Sequence, residues 1–174
     1  TADKRGLIID GELKGFAPAD ITEFAIPDNV TAIGAYVFYE CKNLAGVTIP
    51  SSVRTIGELA FCMTGLNNVT IPHSVTTIGS SAFATCNSLA SVTLENGVTT
   101  ICEKAFYGCS KLTEVSLPVS IESIQSSAFS DCSALKSVYS HSQTPPAAGN
   151  NMFNRNAADR KIYVHPLAVE SYQT

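Results

Sequence analysis

Apolar residues return along the chain at fixed intervals, so that one short pattern of apolar and polar positions occurs six times, the last time in part. Successive copies start 23 residues apart, with one step of 22. This self-similarity is typical of solenoids, in which each coil buries its apolar face against its neighbours. The copies start at Ile21, Leu44, Leu66, Leu89, Leu112 and Leu135.

Each copy divides into a strand, a turn and a buried aromatic position. The opening V-x-I segment predicts a short strand with one buried face, because β-branched residues alternate with polar ones. A proline follows in most copies and ends the strand. Glycine at positions 34, 57 and 79 predicts a turn with positive φ. The segment Ala-Phe-x-x-Cys then predicts a short helical or 3₁₀ turn, with Phe inside the coil at Phe38, Phe61, Phe83, Phe106 and Phe129.

The complete pattern is L-x-x-V-T-I-P-x-S-V-T-x-I-G-x-x-A-F-x-x-C, and it resembles the BspA-type leucine-rich repeat, a bacterial class also called the Treponema pallidum type. The resemblance covers about residues 21–140. The departures from it are single substitutions: Glu95 for Pro, Cys102 and Gln125 for Gly, and Thr64 for Cys. The resemblance implies a parallel-strand solenoid in a secreted or surface-anchored bacterial protein. It also implies a function in adhesion, in which members of the family are implicated.

The predicted fold is therefore a β-rich solenoid, a leucine-rich repeat stack of parallel short strands joined by turns or short 3₁₀ or helical segments and capped at both ends. Residues 1–20 are predicted to be an N-terminal cap with a hairpin at Asp10-Gly11. Residues 21–140 hold five full repeats and one partial repeat. Residues 141–174 are predicted to be a C-terminal cap, with a loop after Thr144, a last strand at Lys161–Val164 and a helical turn over residues 167–172. The cap ends soon afterwards, as it would in a truncated chain.

The six cysteines are predicted to be buried free thiols. Cys41, Cys86, Cys109 and Cys132 share one position of the repeat, where neighbouring Cβ vectors are parallel and a disulfide is disfavoured. A thiol there acts as a small apolar residue with a weak hydrogen bond to the turn. The other two cysteines, at positions 62 and 102, lie two coils apart and are not expected to pair.

The sequence predicts neither a metal site nor a cofactor. It has no C-x-x-C motif, and the three histidines, His73, His141 and His165, are expected to share no position of the repeat with each other or with cysteine. The motifs G-x-S-x-G and H-E-x-x-H and glycine-rich phosphate loops are absent, and the carboxylates are scattered. An enzyme is therefore disfavoured.

Charge and hydrophobicity narrow the classes of partner. A hydrophobic content of 45% against 15% charged residues argues for a folded core. The net charge of −4 disfavours nucleic acid and anionic membranes as partners. No apolar run is long enough to span a membrane.

The candidate binding surface is the outward position of the V-x-I strands. One interpretation is structural, because threonine suits exposed strand positions. The other is that a flat, hydroxyl-rich face ending in a tyrosine binds protein or glycan through many weak contacts. The residues of this candidate face are Thr48, Thr70, Thr93, Ser116 and Tyr139, after Ala25 in the first coil.

The favoured function is a non-enzymatic secreted or cell-surface binding module for adhesion or protein–protein interaction. Its partner would be a host extracellular or bacterial surface protein or glycan, which the sequence does not identify. The main alternative is a passive structural spacer within a larger surface protein, and an enzyme is the least favoured reading. The functional part of this hypothesis depends on family analogy.

Overall fold

The computed structural model describes residues 6–16, 21–169 and 171. These residues wind into a β-solenoid of about six turns with almost no helix. Each coil supplies one strand to each of two walls, and the apolar side chains point into the space between the walls. The expected β-rich leucine-rich repeat solenoid is thereby confirmed.

Fifteen strands and one short 3₁₀ helix, Pro166–Ala168, make up the regular structure of the described residues. The strands are β1 (Gly6–Ile9), β2 (Glu12–Phe16), β3 (Glu23–Ala25), β4 (Ala32–Ile33), β5 (Gly46–Thr48), β6 (Thr55–Ile56), β7 (Asn68–Ile71), β8 (Thr77–Ile78), β9 (Ser91–Leu94), β10 (Thr100–Ile101), β11 (Glu114–Leu117), β12 (Ser123–Ile124), β13 (Ser137–Ser140), β14 (Ala147–Ala148) and β15 (Lys161–Val164).

The first wall is an eight-stranded sheet in the order β1-β2-β4-β6-β8-β10-β12-β14. Its strands are parallel except for the β1–β2 hairpin. The hairpin predicted at Asp10-Gly11 is confirmed, and both turn residues have positive φ, 52° and 77°. Positive φ at both positions is what a two-residue type I′ turn requires. Leu13, in β2, is fully buried against the first coil.

The second wall, called here the strand wall, consists of the V-x-I strands β3, β5, β7, β9, β11, β13 and β15. Hydrogen-bonded pairing is parallel within β3–β5, β7–β9 and β11–β13–β15. The register places equivalent repeat positions side by side, as in Val69 opposite Val92. Side chains therefore alternate between the core and the solvent at the same positions in each coil.

Phenylalanine rings form a continuous stack through the middle of the solenoid. The rings of Phe38, Phe61, Phe83, Phe106 and Phe129 are fully buried, and neighbouring rings are nearly parallel with centroids 4.9 to 5.3 Å apart. Two further residues extend this stack. Phe153 stacks on Phe129 at 5.5 Å, and the Arg160 guanidinium lies 5.3 Å from the centre of the Phe153 ring. A cation over an aromatic face is favourable, so Arg160 covers the end of the stack.

The prediction of positive φ at the repeated glycines is wrong. Gly34, Gly57 and Gly79 do not have positive φ. In these three coils the neighbouring coil passes too close for a side chain, whereas Cys102 and Gln125 occupy the same position in two later coils. A Cβ atom at position 79 would lie 2.6 Å from the Ile56 carbonyl oxygen.

Positive φ occurs instead at two later positions of each coil, mostly in residues other than glycine. An L-residue in this left-handed region carries a conformational cost, which neighbouring contacts must offset. The first position comprises Tyr36, Leu59, Ser81, Lys104, Ser127 and Asn151, and the second comprises Glu40, Met63, Thr85, Gly108, Asp131 and Arg155.

The Ala-Phe-x-x-Cys segment consists of turns rather than the expected helical or 3₁₀ segment. Alternate amides point along the solenoid: the Phe38 N–H donates to the Ala60 carbonyl of the next coil at 2.7 Å, and the Phe61 N–H donates to Ala82 at 2.7 Å. The amides between them bond within their own turn, as Cys41 N–H does to the Phe38 carbonyl. A helix would direct all of these amides along its own axis, so bonding between coils prevents one.

The repeat continues beyond Ser140, past the end of the range over which the sequence resembles the repeat family. The segment expected to be loop contains β14, which pairs with β12. Ala147 and Ala148 occupy the positions that are usually threonine and isoleucine, so the sequence pattern did not indicate this strand. The strand at Lys161–Val164 is confirmed. The short helix begins at Pro166 instead of residue 167. Residues 170 and 172 of that prediction lie outside the described part, as do residues 173–174 of the C-terminal cap and residues 1–5 and 17–20 of the N-terminal cap.

All six cysteines are free, as expected. Four are buried, whereas Cys41 and Cys102 are half-buried. Three of the thiols form a regular series with turn carbonyls of the preceding coil: Cys86 Sγ donates to Phe61 O at 3.1 Å, Cys109 Sγ to Phe83 O at 3.2 Å, and Cys132 Sγ to Phe106 O at 3.1 Å. Thr64 takes the place of cysteine in its coil, and its hydroxyl donates to Phe61 O at 2.9 Å.

Replacing Lys104 with glycine is expected to raise the free energy of unfolding by about 1 kcal/mol, because Lys104 has a φ of 55° that costs an L-residue energy. The exposed ion pair that would be lost, with Glu103 at 3.1 Å, contributes little. Urea unfolding measures the change. Lys111→Gly is the control, because Lys111 is exposed without positive φ, and glycine there should lower stability by about 0.4–1 kcal/mol. A loss of stability in Lys104→Gly would contradict the expectation.

The buried thiols are expected to make the protein less stable in alkali. Burial raises the pKa of the Cys86 thiol to about 11, from an ordinary value of 9.0. The folded chain therefore holds a proton that the unfolded chain loses, so this contribution is complete below about pH 9 and is lost as the pH rises to about 11. The loss amounts to about 3 kcal/mol.

Urea unfolding between pH 8 and 11 tests this expectation by comparing the wild-type chain with Cys86→Ser. The serine hydroxyl can donate to Phe61 O as Thr64 does, but it does not titrate in this range, so the alkaline decrease should flatten. Cys102→Ser is the control, because the Cys102 thiol is only half-buried and should contribute less. Equal slopes for wild type and Cys86→Ser would refute the assignment.

Candidate functional site

The predicted binding residues occupy the outer face of the strand wall. Thr48, Thr70, Thr93, Ser116 and Tyr139 are all exposed, each at the outward position between two inward residues. The register pairs Thr70 with Thr93 and Ser116 with Tyr139. The structure thus brings these residues onto one face, called here the outer strand face.

A further aromatic residue belongs to the same face and was missed from the sequence. Tyr163, in β15, pairs in register with Tyr139 and is exposed. The two rings stack with centroids 4.8 Å apart and planes inclined by 12°. Tyr163 lies in the strand that was predicted at Lys161–Val164, and its outward position could have been read from that prediction had the repeat been extended past Ser140.

Two histidines follow the tyrosines at equivalent positions, which corrects the expectation that no histidines share a position. Ser140 pairs with Val164, so His141 and His165 are the next residues of adjacent strands. The spacing of 24 residues, one more than in most coils, concealed this relation in the sequence. His141 Nε2 lies 2.8 Å from the Ser116 hydroxyl oxygen. His165 Nδ1 accepts a hydrogen bond from the Leu167 amide at 3.2 Å. In the neutral His165 ring the proton is therefore on Nε2.

These histidines line an open depression of about 590 Å³ at the end of the strand wall, called here the terminal pocket. Val119 supplies an apolar side chain to it and is 57% exposed. None of the lining residues is Asp, Glu, Lys or Arg. The polar lining residues are Asn96, His141, Ser142, Gln143, Thr144 and His165.

The remaining histidine has a structural contact in the middle of the solenoid. Glu95, which replaces the usual proline, accepts a hydrogen bond from the His73 amide at 2.8 Å, and its carboxylate lies 3.4 Å from His73 Nδ1. Both side chains are exposed. The pair links two neighbouring coils.

Neither a metal cluster nor a membrane-spanning helix is found in the described residues. No group of three or more His, Cys, Asp or Glu side chains within 6–16, 21–169 and 171 is arranged to hold a metal ion. Over the same residues, no helix has the length and apolarity to cross a bilayer.

The sequence matches the family model described as a BspA type leucine-rich repeat region, in two overlapping segments, residues 12–136 and 55–164. The second segment includes the coil past Ser140. None of the curated proteins matches the chain.

Three solved bacterial structures illustrate the likeness. The chain is 36% identical to a leucine-rich cell surface protein from Faecalibacterium prausnitzii, over 72% of this chain and 40% of that one, with a TM-score of 0.56. It is 26% identical to a leucine-rich repeat protein from Eubacterium ventriosum, over 92% and 52%, with a TM-score of 0.72. The leucine-rich repeat protein of T. pallidum, at 22% identity over 99% and 89% with a TM-score of 0.70, shares the fold.

The chain therefore spans 40% and 52% of the length of the first two of these proteins. Proteins of this repeat family are generally non-enzymatic, and their repeats generally mediate protein interactions. The family match covers most of the chain, and the chain belongs to the BspA-type leucine-rich repeat family.

Proposed function

We propose that the chain is a non-enzymatic binding module of a bacterial surface protein, and that its outer strand face engages a protein partner in adhesion or protein–protein interaction. The observation that carries this proposal is the stacked, exposed pair Tyr139 and Tyr163, which follows the exposed hydroxyl side chains of the outer strand face in register with Ser116. The partner would be a host extracellular protein or a protein on another bacterial surface.

The geometry suits recognition of an extended surface. The outward side chains project from parallel strands over a packed core, so their spacing is fixed before a partner arrives, which lowers the entropic cost of binding. Threonine and serine supply hydroxyl donors and acceptors. Tyrosine is among the residues that contribute most at protein interfaces, and both rings are exposed, Tyr139 by 36% and Tyr163 by 44%. The tyrosine pair would therefore provide most of the binding energy.

The likeness to a cell surface protein at 36% identity supports a secreted or surface location. In this proposal, residues 1–20 and 141–174 act as caps, and the repeats over residues 21–140 display the face together with Tyr163 of the C-terminal cap. A passive spacer within a larger surface protein is the second candidate. It is favoured by the outward residues Thr48, Thr70 and Thr93, which strand propensity alone can account for.

Binding of the purified chain to immobilised extracellular matrix proteins and to bacterial cells tests the proposal. Two variants alter the outer strand face: a triple change of Thr48, Thr70 and Thr93 to lysine, and a double change of Tyr139 and Tyr163 to alanine. Each variant should weaken saturable binding about tenfold or more. The lysine side chains would prevent the close approach of the partner, and the alanine changes would remove the tyrosine anchors.

The matched control is the triple change of Thr55, Thr77 and Thr100 to lysine. These threonines lie in register on the opposite, eight-stranded wall, so the control adds the same charge to the same solenoid. Its binding should equal that of the wild type, and thermal unfolding would verify that all variants are folded. Unchanged binding in both outer-face variants would refute this face as the site. A wild-type chain that binds none of these surfaces would favour the spacer.

A further inference from the structure

The terminal pocket has a chemical character that the rest of the outer strand face lacks. Its polar side chains are two carboxamides, two hydroxyls and two imidazoles, and none carries a fixed charge. The threonine positions, by contrast, offer hydroxyls on an open face. At about 590 Å³, the pocket falls within the range of about 300–1,000 Å³ found for small-molecule sites.

The absence of fixed charge among the lining residues defines the ligand class. An anion or a cation that entered the pocket would lose hydration without gaining an opposite charge. A neutral ligand with many hydroxyl groups has no such penalty. Asn96 and Gln143 each present an acceptor oxygen and a donor NH₂ group, a combination that pairs with two adjacent hydroxyls of one ligand. Both residues are exposed at the pocket.

The hydrogen bonds inside the pocket fix which groups face a ligand. Ser142 is buried, and its hydroxyl accepts from the Thr144 amide at 3.3 Å, so it shapes the loop. The Leu167 amide donates a hydrogen bond to His165 Nδ1 at 3.2 Å. In the neutral ring the proton is therefore on Nε2, and Nε2–H is the group that can donate to a ligand. Ser116 holds the His141 ring at Nε2. The orientation of both imidazoles is thereby set without a ligand, which reduces the cost of binding one.

An aromatic surface adjoins these polar groups. Tyr139 and Tyr163 are not lining residues of the pocket, but they precede the lining residues His141 and His165 by two positions in the chain. Ser116, which pairs in register with Tyr139, lies 2.8 Å from His141 Nε2, so the tyrosine stack is near the histidine end of the pocket. Tyrosine combines an apolar ring with a polar hydroxyl. An apolar ring can pack against a ligand face that carries C–H groups, and the planar polar groups beside it can form hydrogen bonds with hydroxyls at the edge of the same ligand. Pyranose rings have this distribution.

From this arrangement we propose that the terminal pocket binds a neutral oligosaccharide, with Asn96, Gln143 and His165 bonded to its hydroxyls and Tyr163 against a sugar ring. The inference goes beyond the proposed function, because it assigns a small-ligand pocket distinct from the threonine positions. The pocket is open to solvent, and a few solvent-exposed hydrogen bonds correspond to a dissociation constant of about 1 mM. The repetition of sugar units on a surface would increase the effective affinity.

Side-chain amide resonances of the full chain in ¹⁵N-labelled form provide a direct test. The probes are lactose and N-acetyllactosamine, which represent host glycans, and maltotriose and cellotriose, which represent glucans. At least one probe should shift the Asn96 and Gln143 side-chain resonances in a saturable manner, and the group that does so identifies the source of the ligand. 3′-Sialyllactose, a charged derivative of lactose, should bind no more tightly than lactose.

Variants distinguish this site from weak contacts elsewhere. Gln143→Ala and Tyr163→Leu should each weaken binding about tenfold, whereas Asn150→Asp, at an exposed amide outside the pocket, should leave it unchanged. The chain has no tryptophan, so tyrosine fluorescence gives a second measurement. The triple lysine variant at positions 48, 70 and 93 should retain saccharide binding, which separates this proposal from the one above. No shift with any neutral probe, or equal binding by Gln143→Ala and wild type, would overturn it.

Discussion

The structure depends on the stacking of one coil on the next. A single coil of this chain has an apolar interior too thin to bury its own side chains, and the neighbouring coils complete that burial. The parallel phenylalanine rings are the clearest expression of this constraint, with centroid spacings of 4.9 to 5.3 Å from Phe38 to Phe129. These spacings are close to the distance between hydrogen-bonded strands. Ring stacking and backbone pairing therefore impose the same repeat distance, and neither has to distort for the other.

The same constraint accounts for the backbone of the turns. Amides near the phenylalanines donate to carbonyls of the adjacent coil instead of forming a helix. This arrangement places two residues per coil at positive φ, most of them not glycine. The glycines at positions 57 and 79 serve another purpose, since a Cβ atom there would meet the backbone of the preceding coil at 2.6 to 2.7 Å. Contacts between coils thus determine both the strained positions and the positions without side chains.

The chemistry of the outer strand face changes where the repeat is interrupted. In the middle coils the outward position is threonine, at residues 48, 70 and 93, so that these coils present the same chemistry. At the C-terminal end the last two strands present tyrosine, and the residues after them are histidines in place of the usual proline. The repetitive coils provide a rigid support, and the departures from repetition give one end of that support aromatic and polar groups that could select a ligand.

The sequence by itself determined the solenoid, the parallel strands, the outward and inward positions and the free thiols. A period of about 23 residues leaves few ways to bury the same side chains in every copy, so periodicity indicated the solenoid and the inward and outward positions, and the resemblance to the repeat family implied the parallel strands. Periodicity failed where the decisive contact is with the neighbouring coil, because the pattern of one coil does not show such a contact. Ala147 and Ala148 form a strand because β12 lies beside them, and glycine at position 79 reflects the proximity of Ile56.

The terminal pocket was likewise decided by the tertiary structure. Asn96, His141 and His165 come from three different coils, and their approach depends on the register between coils of unequal length. Pattern alone treats such residues as unrelated. Only stacking of the coils, which absorbs the extra residue in the last one, brings their side chains to the same depression.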